Sequence, residues 1–462
     1  MGIVSIPRCL IVAAVIGLTG GLAQAGSSPG PDVIVSIIAN GNDVIYYGSS
    51  SGVHAYAFAT TSCNIGTQTL EWWDNNNLGS PGADHHPVIS QNLFRLKDSR
   101  LEQVGMSWLK HGFCAVNEFS CGNCQQTDCD TLGLDCADTY SANLNGSATW
   151  RGARSEVNPT TGDFPYPPIL NATGSSNIRG RLQVADADIN PAMNAGARYF
   201  VEVTYNAKDD IASGNGRNSV SWREITVPAV DNIGFAGATQ QMEAAINVWA
   251  AVDPAVKVSV DSATNDGLIY LANKFVDLGG GMWRYEYAVY NYNSEQSAKG
   301  LTIPVGPGVA ISNIGFHDID NHSGEPWSNT DWAASTPGCG VTWQTEDFAT
   351  NPNANAIRWG TMYNFWFDAD AGPSVVSAQL DLFKPGVDSS LSFGVFGPGG
   401  SCVMGDSDCD GDADLVDFAR IQECVAGGAF APGDSCRIFD NNCDSVVDGA
   451  DYAAFEATVV GP

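Results

Sequence analysis

The chain has 462 residues, with 51 Asp and Glu against 21 Lys and Arg and a formal net charge of −30. That balance speaks against a nucleic-acid partner, because neutralising a polyanion needs clustered cations. Charged residues make up only 16% of the chain while Gly numbers 51, a composition that suits secreted β proteins and is poor for long helices.

Residues 1–25 read as a secretory signal. Arg8 supplies the positive charge, Ile11 to Leu22 the apolar run and Ala23-Gln24-Ala25 a small-residue cleavage site, so the mature chain is expected to begin at Gly26. The run is too short to span a membrane, and no later stretch approaches ~20 apolar residues. Cys9 lies ahead of the apolar run and not at the cleavage point, which argues against a lipid-modified cysteine. Of 13 cysteines, 12 remain without Cys9, an even number in an exported chain, as a set of disulfides requires.

Residues 26–396 are long enough for one large or two ordinary domains. Apolar side chains alternate through them: Tyr199, Val201, Val203 and Tyr205; Val256, Val258 and Val260; Trp283, Tyr285, Tyr287 and Val289. The same period of two returns at Thr361, Tyr363, Phe365 and Phe367, at Ala378, Leu380 and Leu382, and at Leu391, Phe393 and Val395. Turn-forming clusters such as Asp277 to Gly281 separate these runs. The expectation is a mainly β protein with an antiparallel, β-sandwich-like body. A subdivision is placed near 228–232, and Gln240 to Val252, with Met242, Ile246 and Trp249, fits a short helix. The linker 397–400, Gly397-Pro398-Gly399-Gly400, marks a firmer boundary before the tail 401–462.

Several clusters in the body bear on chemistry. Cys114, Cys121, Cys124, Cys129 and Cys136 crowd one segment; the Cys121/Cys124 spacing is that of a zinc knuckle, but in an exported chain without a nearby His it favours a disulfide-stapled loop, with Cys63 or Cys339 as the odd partner. The 6 histidines include His317 and His322, interleaved with Asp318, Asp320 and Glu325, and His85, His86 and His111 near Trp108. Folding that joined His86 or His111 to His317 and His322 would build a transition-metal site; the competing reading is satisfied polar residues at strand ends. Glu71, Glu156, Glu202, Glu224, Glu286 and Glu325 are candidates for a glycosidase carboxylate pair, or else ion-pair partners of Arg154, Arg198 or Arg223. Trp72, Trp73, Trp283, Trp327, Trp332, Trp343, Trp359 and Trp366 either fill a β core or include a sugar-stacking platform. No nucleophile elbow, phosphate loop or His-Glu-x-x-His helix is present.

The tail is where spacing dictates a chemistry. Asp406, Asp408, Asp410, Asp412, Asp414 and Asp417 occupy positions 1, 3, 5, 7, 9 and 12 of a twelve-residue loop with Gly411 at position 6, and Asp440, Asn442, Asp444, Val446, Asp448 and Asp451 repeat the register. A hard divalent cation takes ~6–8 oxygens, and alternate side chains of a tight loop converge on one point, position 7 giving a backbone carbonyl, so Val446 is no obstacle. Helical stripes follow each loop: Phe418, Ile421 and Val425, then Tyr452, Phe455 and Val459. Position 12 is Asp where an EF-hand has Glu, and no helix is expected before the first loop. The repeated loop-helix resembles a dockerin module, and with Cys402, Cys409, Cys424, Cys436 and Cys443 it is similar to the GC-type dockerin-like tails of planctomycete secreted proteins. That resemblance implies Ca2+ at two sites and a cohesin-like or other surface protein as partner. The second site is the weaker, since Ser445 replaces the glycine and Asn442 a carboxylate. Thirteen acidic groups from Asp406 to Glu456 face only Arg420 and Arg437, so folding there is expected to need the cation. Leu415, Val416 and Arg420 are the expected exposed docking positions.

The body resembles an uncharacterised planctomycete secreted-protein family in Ser107-Trp108-Leu109-Lys110-His111-Gly112-Phe113 and Gly315-Phe316-His317-Asp318, a likeness that implies no activity. Together these readings describe a protein secreted to the cell surface or beyond, whose body is a binding or structural module and whose tail docks. The alternative is a carbohydrate-active hydrolase for polysaccharide degradation displayed by the same tail, and neutral glycans stay open as ligands of the body.

Overall fold

The computed structural model describes residues 29–73, 82–306, 309–336, 340–399, 405–407, 413–425, 435–440, 442, 444 and 446–457. The expected signal segment, Cys339, Cys402, Cys409 and Cys443, and loop residues Asp408, Asp410 and Asp412 lie outside these.

The protein is mainly β, and its sheets are antiparallel. A ten-stranded sheet in the first part of the chain curls into a half-barrel. At its centre Arg198–Asn206 pairs with Val88–Lys97 on one side and Val220–Ala229 on the other. Tyr199, Val201, Val203 and Tyr205 face one core, which Val33, Val35 and Ile38 of a separate three-stranded sheet help to close. Phe200, on the opposite face, packs into a second core with Trp249 and Tyr290. Both faces are covered, so Glu202, Thr204 and Asn206, which alternate with these apolar residues, are buried as well.

Further along, two five-stranded sheets pack across one core. Tyr285, Tyr287, Val289, Phe365 and Phe367 come from one sheet; Leu301, Ile303, Val341, Trp343, Leu380, Phe393 and Val395 come from the other. Every member of the alternating runs named above at Tyr285–Val289, Tyr363–Phe367, Ala378–Leu382 and Leu391–Val395 is buried. Residues 228–232 lie at the turn of the hairpin joining Val220–Ala229 to Asn232–Gln241, with Pro228 at a register shift where a missing amide is tolerated. The expected helix is shorter than its pattern, Asn247–Val252, and stands between the half-barrel and the paired sheets.

A buried polar joint holds these two parts together. Glu202, fully buried, accepts from Asn92 Nδ2 at 3.1 Å, Tyr290 Oη at 2.6 Å and Ala245 N at 2.7 Å. Arg154 reaches Asn92 Oδ1 at 2.8 Å, Ser107 O at 2.8 Å and Gly360 O at 3.1 Å. Burial raises the Glu202 carboxyl and lowers the Arg154 guanidinium, to about 10. Such groups are retained where each finds partners, because an unpaired one would cost several kcal/mol, about 3–5 for a broken buried pair.

Four disulfides are formed among the described residues: Cys63–Cys121, Cys114–Cys129, Cys124–Cys136 and Cys424–Cys436. Cys121 and Cys124 belong to different bridges, so their knuckle-like spacing serves a stapled loop. No helix among the described residues is long and apolar enough to cross a membrane. In the tail, helices Leu415–Cys424 and Gly449–Glu456 share a small core of Ala413, Ile421, Ile438, Phe439, Val447 and Phe455.

Candidate functional site

Both tail helices begin on the same device. Asp414 Oδ1 accepts from Val416 N at 2.7 Å while Asp417 Oδ2 accepts from Asp414 N at 3.0 Å; Asp448 Oδ1 accepts from Ala450 N at 2.8 Å while Asp451 Oδ2 accepts from Asp448 N at 3.0 Å. Each is a reciprocal capping box, which satisfies amides the first turn leaves open and places carboxylates at the positive helix end. The other oxygen of position 12 draws the loop back onto the helix: Asp417 Oδ1 accepts from Ser407 N at 2.6 Å and Asp451 Oδ1 from Asn442 N at 3.1 Å. Positions 1 and 12 are buried in both loops, Asp406 and Asp440 at 1% exposure and Asp417 and Asp451 at 0%. The units also meet through Phe418 and Tyr452, both at position 13, with ring centroids 5.9 Å apart.

In the second loop, oxygens of Asp440, Asp444 and Asp451 lie within 4.8 Å of one another. Asp444 N donates to Asp440 Oδ1 at 3.1 Å and to Asn442 Oδ1 at 3.0 Å, and Val446 N donates to Asp444 Oδ1 at 2.9 Å, so the turn itself gathers the carboxylates. An oxygen that accepts one amide keeps a second lone pair for a metal. Three carboxylates this close repel unless a proton or cation intervenes. The donors are all oxygen, which suits a hard divalent ion and does not by itself separate Ca2+ from Mg2+.

The four histidines weighed as metal ligands divide between two places. His86 Nε2 and His111 Nδ1 are 2.9 Å apart inside a box of Phe113, Phe164 and Tyr166. Burial lowers both imidazoles, His86 to about 3. His322 spends both ring nitrogens on Met106 O at 2.9 Å and Ser323 Oγ at 2.8 Å, and burial lowers it to about 4. His317 Nε2 lies 3.4 Å from Gln103 O. No group of three metal-ligating side chains among the described residues includes any of these four, so they do not form a single ligand set.

His317 and His322 instead line a cleft of about 500 Å³ between the strands Arg100–Met106 and Leu182–Ala185 of the half-barrel and the loop that follows Ile311–His317. Asp318, Asp320 and Asp331 share it with Gln103, Gln183 and Asn329. Asp318 Oδ2 accepts from Asn355 Nδ2 at 2.6 Å, and burial, with Asp320 and Asp331 nearby, raises its carboxyl to about 6. Burial and the charge of Asp331 also raise Asp320. Sequence reading singled out the His317–Glu325 run but missed Gln103, Gln183 and Asp331, which carry no local signal.

The glycosidase candidates have structural duties. Glu224 pairs with Arg198 at 2.8 Å and Glu286 with Arg100 at 2.8 Å; Glu71 contacts His85. Glu156 accepts from Ile169 N at 2.9 Å and Glu325 from Ser155 N at 3.0 Å. None of the 12 tryptophans is exposed, so they build cores and walls and make no open stacking platform.

No protein-family description and no curated protein matches this chain. Among solved structures it is similar to the 1.65 Å crystal structure of a serine-rich repeat adhesion glycoprotein from Streptococcus agalactiae, at 11% identity over 82% of this chain and 99% of that one, with a TM-score of 0.20. A likeness at that score bears on neither the fold nor the function.

Proposed function

We propose that this is a secreted protein whose tail is a calcium-dependent, dockerin-like handle that attaches the body to a cohesin-like or other surface partner. The observation that carries the reading is the convergence of Asp440, Asp444 and Asp451 in a capped loop whose burial and hydrogen bonding recur at Asp406, Asp414 and Asp417. Leu415 and Val416, 63% and 49% exposed at the start of the first helix, supply apolar contact for a partner beside exposed Arg420. Disulfides in the body and the tail fit an oxidising compartment. The body acts as a binding or structural module, since the six glutamates considered for hydrolysis are committed to other contacts.

Equilibrium dialysis of the full chain against Ca2+ tests this, with Mg2+ as competitor. Two bound ions, displaced by chelator with loss of tail helicity, are expected. No bound ion removes the handle.

A further inference from the structure

Independently of the tail, we infer that the cleft holding His317 and Asp318 is a binding site for a neutral saccharide. At about 500 Å³ it falls within the size range of small-molecule sites, and it lies where two structural parts meet, as such sites tend to. Its lining narrows the ligand class by exclusion. No Lys or Arg is among the lining residues, so an anionic ligand would meet like charge from Asp318, Asp320 and Asp331. Asp188 also lines the cleft, but Arg95 pairs with it at 2.9 Å.

A bare metal ion fits no better. No three ligating atoms converge among these residues, and half the wall is apolar, with Val104, Val184, Phe316 and Ile319 contributing. A pyranose uses both kinds of surface. Its C–H face covers aliphatic and aromatic carbons, while its hydroxyls donate to carboxylates and exchange hydrogen bonds with carboxamides such as Asn329.

The wall is also set in place before any ligand arrives. Asn321 N donates to Asn329 Oδ1 at 2.7 Å and Asn329 Nδ2 returns to Asn321 O at 2.9 Å, closing the loop on itself. Ser323 Oγ accepts from Gly180 N at 2.7 Å and Gln183 Nε2 at 3.0 Å, pinning the loop to the half-barrel. Binding therefore has little loop ordering to offset. Asp320 and Asp331 are exposed at the rim and can be replaced without breaking this scaffold.

The test is saturation-transfer NMR and titration of the full chain with calcium present, using cellobiose, maltose and lactose, with spermidine and glucuronate as cationic and anionic controls. Binding of at least one disaccharide is expected, weakened about tenfold or more in Asp320→Ala/Asp331→Ala, with the unfolding midpoint unchanged. The inference is overturned if no disaccharide binds, if the double variant binds as well as the parent, or if spermidine or glucuronate is the tighter ligand. A cleft that binds sugar in a chain that fails to bind Ca2+ would keep this inference and remove only the tail's function.

Discussion

The body and the tail surround buried charge with different partners. In the body each deep ionic group meets donors or a counter-charge: Glu202 takes three hydrogen bonds, and Arg95 joins Glu102 at 2.7 Å and Asp188 at 2.9 Å. In the tail Asp440, Asp444 and Asp451 crowd together, and Arg420 donates to Ser407 O instead of a carboxylate. The body brings counter-charges to several deep ionic groups; the tail holds its converging carboxylates with backbone amides. Core size points the same way, since two large aromatic cores contrast with one built on Ile421, Ile438, Phe439, Val447 and Phe455. A core that small rarely supplies more than about 3–5 kcal/mol by itself, and here the Cys424–Cys436 bridge adds to it. The proposed handle therefore predicts stability that is intrinsic to the body and conditional in the tail.

The largest expected effect breaks the chain into those two regions. Calorimetry with Ca2+ should give a tail transition and a body transition, and chelator should abolish the first while leaving the second in place. Superimposable traces with and without chelator would end the contrast.

Among the described disulfides, the one closing the longest loop is next in size. Cys63–Cys121 spans a sequence separation of 58, and loop-closure entropy assigns it about 4 kcal/mol. Replacing both cysteines by Ala should lower body stability by that order in urea unfolding and leave Ca2+ affinity unchanged. A loss of Ca2+ affinity would mean that the regions are coupled.

Acid sharpens the contrast from the other side. His86 is 1% exposed and its folded pKa, about 3, lies below the usual 6.5. The unfolded chain therefore takes up a proton that the folded chain refuses, so this contribution is complete above pH 6.5 and is lost as pH falls toward 3. Other groups oppose it: burial raises Asp138 to about 7, a term that favours the folded state at low pH and fades as pH rises. The clean readout is the stability difference between the parent and His86→Leu, which should fall by about 3 kcal/mol between pH 7 and 4. A difference independent of pH would show that His86 takes up its proton in the fold as readily as in the unfolded chain.

What could be read in advance follows from how local each signal is. The runs Tyr199–Tyr205 and Tyr285–Val289 were legible because a period of two states a strand face without reference to the partner strand. The helices Leu415–Cys424 and Gly449–Glu456 were legible because an apolar stripe at helical spacing follows each acidic run. Residues 228–232 sit at a hairpin turn, and a hairpin turn and a domain boundary draw on the same turn-forming residues. The cleft was illegible as a cleft: Gln103, Gln183 and Asp331 come from three distant segments, and only the folded sheets bring them together. Cys121 and Cys124, close in sequence, belong to separate bridges for the same reason.

The smallest effect asks whether the tail's two loops are equal partners in this dependence. Asp410, at position 5, is the counterpart of Asp444, which stands in the convergent triad, whereas Asn442 contributes at most a neutral oxygen at position 3. Removing a full negative charge from beside a divalent ion costs more than removing an amide oxygen. Asp410→Ala should therefore weaken Ca2+ binding about tenfold or more, and Asn442→Ala about a few-fold, in competition with a chromophoric chelator. Because the second loop has Asn442 where the first has Asp408, and Ser445 where the first has Gly411, the parent chain should fill its sites in two steps, the first loop before the second. Equal losses in the two variants, with a single filling step, would mean that helix capping and the shared Phe418–Tyr452 contact set the affinity of both loops together, and that counting carboxylates does not rank them.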